Sequence, residues 1–263
     1  MPGIQKKPIG KTAILMLSRN TLEFTKLTLL SLKVHEPKIP YEIRVLDQGS
    51  TDGSLEWMQS MEEKWENFKV IPIKRNLLFS KGNNVIRYFI SDDVKYLLLL
   101  NTDVHIQEDG WLEERIKPLD VEPTVGVVGT FGNCHNVNKA GNYFYADLAK
   151  TRVITEEFFK QKCCLPDGLI RDVTGWSLAT SVELWDKLGG LNVTEKYKHM
   201  WSDTEYSCRV QLLGYEAVMQ PYNDKMIHMS GVSHDAEKLP EKYKRRVEKI
   251  KPLLEKYEKE ISN

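Results

Sequence analysis

The sequence predicts an α/β fold: a central, mostly parallel sheet flanked by helices, closed by an amphipathic C-terminal helix. Three observations predict it. Strand-like and helix-like segments alternate from Lys11 to Leu100, the βαβ pattern of a parallel sheet with right-handed crossovers. Tyr96-Leu97-Leu98-Leu99-Leu100 is apolar throughout, as a strand buried on both faces must be. The apolar runs end in polar or acidic residues, at the strand ends where open α/β sheets bind ligands.

The elements follow in order. Lys11 to Leu17 (KTAILML) is a strand ending at Ser18-Arg19-Asn20, and Thr21 to Leu32 carries apolar residues at helical spacing. Tyr41 to Leu46 is the second strand, ending at Asp47; Ser54 to Trp65 is a helix opened by the Asp52-Gly53 turn signal. Phe68 to Ile73 is the third strand, Lys81 to Ser91 a helix and Tyr96 to Leu100 the fourth strand. In a parallel sheet their C-terminal ends share one edge, so Ser18–Asn20, Asp47, Asn76 and Asp103 should line one cleft. Beyond it, Val125 to Thr130 is a further buried strand, and residues from about 142 to 172 lack a clear period and suggest an insertion or flap. Val182 to Leu188 and Asp203 to Leu213 are helices stopped by glycine. From Glu237 the chain is dense in Lys and Glu, with Leu239, Tyr243, Val247, Ile250, Leu254 and Tyr257 spaced as one face of a tail helix, broken or started by Pro252 and packed on the domain.

Bulk properties narrow the function. Lys+Arg and Asp+Glu both total 37, so the net charge is zero, which argues against a general nucleic-acid binder. No apolar run approaches the ~18 residues of a membrane span. The opening MPGIQKKPIGK has no apolar signal core, so a cytoplasmic protein is expected, with peripheral membrane association left open. Cys134, Cys163, Cys164 and Cys208 lack zinc spacing and read as free thiols.

Two polar clusters carry the chemistry. Asn101-Thr102-Asp103 places an amide, a hydroxyl and a carboxylate at the end of the fourth strand, where a carboxylate can hold a hard divalent cation bridging a nucleotide's phosphates. Asp47-Gln48-Gly49-Ser50-Thr51-Asp52-Gly53 follows the second strand, and Asp47 can accept a hydrogen bond from a base N–H or a ribose hydroxyl. Taken singly, each cluster could equally turn the chain or cap the next helix.

Together they resemble the GT-A glycosyltransferases, specifically the family 2 group. That group combines an S-x-N turn, a D-x-G-S-x-D-G turn and a D-x-D element. This chain supplies Ser18-Arg19-Asn20, Asp47 to Gly53 and Asn101-Thr102-Asp103 in that order. Asn76-Leu77-Leu78-Phe79-Ser80-Lys81-Gly82-Asn83-Asn84 is similar to the N-x-G-F-x-x-x-N-N loop, without its first glycine. Thr174-Gly175-Trp176-Ser177, then Leu188-Gly189-Gly190, Trp201 to Arg209 and His228 to Ser233 are similar to the acceptor-side segments, the E-D-x-D-L-x-x-R element and the H-x-x-G-x-S segment. The resemblance covers residues 11 to 235.

It implies a Rossmann-like GT-A domain over 1–235, with a nucleotide-sugar half (11–104), an acceptor half (105–235) and a helical tail (236–263). It implies transfer of a sugar from a nucleoside-diphosphate sugar to a hydroxyl of a glycan, lipid-linked or protein acceptor, with inversion. Asp203 would be the base, Asp103 and His228 the metal ligands. Ser18, Arg19, Asn20, Asp47, Asn76, Lys81, Asn84, Asn101, Thr102 and Asp103 would contact the donor; Gly175, Trp176 and Trp201 would contact the acceptor. Asn101 stands in for the first acid of D-x-D and Ser202 for the usual Glu, which leaves Asp103 and Asp203 as the carboxylates. Arg19 stands where an aromatic often stacks on the base, and a guanidinium plane can stack too. A carboxylate, imidazole and phosphate shell suits Mn²⁺ better than Mg²⁺. At a helix start Asp203 should be kept ionised by the helix dipole. Trp176 and Trp201 could stack a sugar ring. A retaining transferase, a sugar-phosphate nucleotidyltransferase and a non-catalytic nucleotide- or carbohydrate-binding protein are the other readings.

Overall fold

A computed structural model describes residues 9–130, 173–195, 197–198, 201–220 and 225–262. The suggested insertion at 142–172, Cys134, Cys163 and Cys164 lie outside them.

The first half follows the expected alternation: β1 (Thr12–Ser18), α1 (Leu22–Val34), β2 (Tyr41–Asp47), α2 (Ser54–Glu62), β3 (Phe68–Pro72), α3 (Leu78–Ile86) and β4 (Tyr96–Leu100). Then come β5 (Val104–Ile106), α4 (Trp111–Val121), β6 (Val125–Thr130), β7 (Ser177–Ser181) and α5 (Val182–Leu188). The chain continues through α6 (Ser202–Leu212), β8 (Glu216–Gln220), β9 (Met226–His228), α7 (Val232–Lys238) and α8 (Pro240–Ser262). Among the described residues, seven strands form one sheet in the order β3-β2-β1-β4-β7-β6-β8, with β7 antiparallel to both neighbours. Side chains alternate across this sheet. Leu98 and Leu100 join Ile14, Met16, Ile43 and Val45 on one face; Leu97 and Leu99 join Ala13, Leu15 and Leu46 on the other. That two-faced burial explains the unbroken leucines of β4.

The register positions the site. Ser18 pairs with Asp47, so the two N-terminal motifs leave the sheet side by side. β5 and β9 form a separate two-stranded ladder in which Val104 pairs with His228. That ladder brings Asp103 and His228 together from 125 residues apart in sequence.

The tail corrects one expectation. The helix runs through Pro252 rather than breaking or starting there. A proline inside a helix costs ~3 kcal/mol. Here it is offset because Ile250, Leu254 and Tyr257, on either side, are buried against Phe24, Leu27 and Leu30 of α1. Arg246 of α8 ties this helix to the site, donating to the carbonyls of Met229 and Ser230, just after His228. Its other partner is Asp235 of α7, 2.6 Å away.

Candidate active site

The C-terminal edge of the parallel strands opens on a cavity of about 340 Å³. Arg19, Asn76, Asn101, Thr102 and Asp103, all anticipated from the sequence, line it. Leu17 and Gln48 line it from β1 and the loop after β2, Leu78 and Phe79 from the first turn of α3, and Ser233, His234 and Glu237 from α7. His234 and Glu237 were not anticipated as site residues; the signal was their position directly after the His228–Ser233 segment.

The N-terminal turns are knitted to one another. Asn20 takes a left-handed conformation, its N–H donating to Ser50 Oγ at 3.1 Å and its side-chain oxygen accepting from Thr51 N at 2.7 Å. Asp52 caps two helices at once, accepting from Leu22 N at the start of α1 and from Ser54 N at the start of α2. Ser18 is fully buried, its hydroxyl 3.4 Å from that of Thr25. Arg19 donates to the carbonyl of Gln48 at 2.7 Å and reaches Glu237 at 3.4 Å, spanning the cavity from β1 to α7.

Asp47 is the informative member. Its Oδ2 accepts from the N–H groups of Gly49 and Ser50, at 3.1 and 3.0 Å. Its Oδ1 is buried and has no partner among the described residues. A buried acceptor left open carries a desolvation penalty of ~1–3 kcal/mol, which a ligand donor would remove.

Behind the Asn101 and Asp103 lining, His228 Nε2 lies 3.1 Å from Asp103 Oδ1 and 3.2 Å from Asn101 Nδ2. An imidazole nitrogen and a hard oxygen about 3 Å apart match two neighbouring donors of a cation bound at about 2.1 Å. No group of three or more His, Cys, Asp or Glu side chains assembles among the described residues. A cation held here would therefore take its remaining ligands from phosphate and water, and the donor set fits that composition. Trp176, expected to offer its face to a sugar, is instead 5% exposed and stacks on the His228 imidazole at 5.0 Å. It braces the ring. Trp201 is the open aromatic, 44% exposed at the start of α6.

Asp203 sits in the first turn of α6, where its Oδ2 accepts from Gly175 N at 2.7 Å. Gly175 is squeezed between this carboxylate and Phe79: a Cβ there would meet Phe79 at 2.8 Å and Asp203 at 3.1 Å. Asp203 thus adjoins the cavity wall through Phe79. The expectation that the helix start holds its pKa down is overturned. Burial pushes the Asp203 carboxyl up, outweighing the N–H groups of Gly175 and Thr204. Glu205, two residues on, is paired with Arg209 at 2.8 Å.

Two residues expected at the donor are placed elsewhere. Asn84 is engaged by the loop after α5, its amide donating to Leu191 O and accepting from Leu191 N, both at 2.8 Å. Lys81 is exposed on α3 and does not line the cavity.

A family model described as Glycosyl transferase family 2 matches residues 13–174, more than half of the chain. The chain belongs to glycosyl transferase family 2. No curated protein matches it significantly. Among solved structures, the family 2 chain is similar to the mannosyltransferase PcManGT from Pyrobaculum calidifontis in complex with GDP-Man and Mn²⁺, at 18% identity and a TM-score of 0.60. That match covers 82% of this chain and 59% of the other. S. aureus TarS 1-349 matches at 16% identity and a TM-score of 0.56, over 82% of this chain and 58% of its own. Glucosyl-3-phosphoglycerate synthase from Mycobacterium tuberculosis, in complex with Mn²⁺, UDP and glucosyl-3-phosphoglycerate, matches at 13% identity and 0.56, over 84% and 72%. The chain therefore spans under two thirds of the first two neighbours' length. At these identities the likeness establishes the GT-A fold, a central mostly parallel sheet flanked by helices.

Proposed function

We propose that this family 2 chain is a metal-dependent, inverting glycosyltransferase that moves a sugar from a nucleoside-diphosphate sugar to an acceptor hydroxyl. The observation that carries the reading is the pairing of Asp103 with His228 at a cavity whose wall leads, through Phe79 and Gly175, to Asp203. The family match and neighbours crystallised with Mn²⁺ and nucleotides support it.

In this reading residues 11–104 bind the donor and 105–235 present the acceptor. Asp47 Oδ1 accepts from the base, and Arg19 lies against it. Asp103 and His228 would hold a divalent cation, Mn²⁺ by the softness of the imidazole, which would neutralise charge developing on the leaving diphosphate. Trp176 fixes the plane of the imidazole, and the Asn101 amide, which faces the same Nε2 at 3.2 Å, would turn to the donor once a cation takes that nitrogen. Asp203 takes the proton from the acceptor hydroxyl. Its raised pKa makes it a better proton acceptor than an ordinary carboxylate, as general-base catalysis requires. Gly175 N–H keeps the carboxylate aimed, and Trp201 offers an open aromatic face to a glycan, lipid-linked or protein acceptor. No helix among the described residues is long and apolar enough to cross a membrane. We place the reaction in the cytoplasm.

The experiment is incubation of the full chain with UDP-, GDP- and dTDP-sugars and Mn²⁺. Slow release of the nucleoside diphosphate, abolished by chelation, supports the reading; pyrophosphate chemistry or no turnover with any donor contradicts it.

A further inference from the structure

Leu78 has a backbone that leucine seldom adopts. Its φ is +63°, in the left-handed region that a bulky side chain enters only against steric resistance. Such strain persists where the surroundings over-determine the conformation. Here three N–H groups within four residues are pinned. Leu77 N donates to Gln48 Oε1 at 2.7 Å, Leu78 N to Asn76 Oδ1 at 2.8 Å, and Ser80 N to the carbonyl of Lys198 at 3.2 Å, with Phe79 between the last two. The Ser80 hydroxyl adds a second tie, to Tyr197 O at 2.7 Å. The turn holds leucine where the resembled loop carries glycine, and Leu78 lines the cavity.

Its neighbours locate it. Gln48 and Asn76, which pin the turn, both line the cavity, and Gln48 follows Asp47, the residue with the open buried acceptor. Arg19 closes the same end by its bond to Gln48 O. Phe79, one residue on, contacts the Gly175 and Asp203 side instead. Leu78 therefore belongs to the base end of the cavity and Phe79 to the transfer end.

We propose that Leu78 is a specificity-determining residue: its side chain, held at positive φ, narrows the base end so that the cavity takes a pyrimidine nucleoside diphosphate and excludes a purine one. The inference rests on the donor-binding reading above. A pocket's rejection of a group too large for it is steric, so removing the obstructing side chain should relieve it without a new attractive contact.

The test is calorimetric titration of the full chain with UDP and with GDP in Mn²⁺, for the native protein, L78A and L78G, with melting temperatures recorded for each. The native protein should prefer UDP by at least about tenfold, the scale on which a small pocket change discriminates. In both variants that preference should shrink by at least about tenfold through tighter GDP binding. L78A retains the strained backbone and L78G relieves it, so a common change in both assigns selectivity to side-chain bulk. If the preference is unchanged in both, or moves only in L78G, or the native protein prefers GDP, the proposal is overturned. If neither nucleotide binds the folded native protein, the donor-binding reading fails and takes this one with it.

Discussion

At the scale of single residues, transfer turns on Asp203 and His228. Asp203→Asn is nearly isosteric and can still accept from Gly175 N–H, so the start of α6 should survive. What it removes is the proton acceptor, and a positioned base contributes about 10²–10⁴-fold to the rate. We expect normal donor binding and transfer reduced by at least about two orders of magnitude, measured as product formation at saturating donor. The pH dependence has a definite sign. Burial raises the folded-state pKa above the ordinary 3.8, so the folded protein binds this proton more tightly than the unfolded chain. Stability from this group is fully present below pH 3.8 and is lost as pH rises through the raised value; Asp203→Asn should remove that decline in melting curves. The acid limb of the transfer profile should likewise lie above the ordinary carboxylate range. His228→Ala should raise the Mn²⁺ concentration for half-maximal activity by ~10–100-fold while the protein still melts cooperatively. Unchanged metal dependence would make the histidine a purely structural partner of Trp176.

Among the elements, the legible ones were those with a strong local signal. β1, β2, β4, β6 and α5 lie within a residue or so of where the apolar runs place them. β5 and β9 were not legible: each has three residues, and what defines them is their pairing across the fold. β7 reads Ser-Leu-Ala-Thr-Ser and is a strand because β4 and β6 flank it, an instance of context overriding propensity. The tail was legible as an amphipathic helix, but its Pro252 was a misleading signal, since packing on α1 outweighs one lost hydrogen bond. That packing is testable. Leu254 is 5% exposed, so Leu254→Ala should lower stability by ~2–5 kcal/mol in urea unfolding. His105, buried beneath α8 with Nε2 2.7 Å from the Tyr257 hydroxyl, gives a second handle. Burial lowers its pKa from 6.5 to about 4, so its contribution is present above pH 6.5 and is lost as pH falls toward 4. Wild type should therefore lose stability over that window relative to His105→Asn.

For the whole molecule, the fold and the family were legible because several short motifs occur in order, and order survives where overall identity to solved structures falls to 13–18%. The side-chain arrangement was less so. Sequence placed Trp176 at the acceptor, but its burial against His228 depends on a strand pair no local pattern announces. It credited Asn84 and Lys81 to the donor, whereas one is engaged by Leu191 and the other faces solvent. It overlooked Glu237 and His234, because their contribution comes from α7 being folded back over the cavity and held there by Arg246 and Asp235. The central claim is that Asp103 and His228, joined by the β5–β9 ladder, make donor binding depend on a divalent cation. Titration of UDP into the full chain, once with Mn²⁺ and once with excess EDTA, tests it most directly. Saturable binding with Mn²⁺, lost in EDTA and restored by added metal, is the expected result. Equal affinity in the two conditions would contradict it.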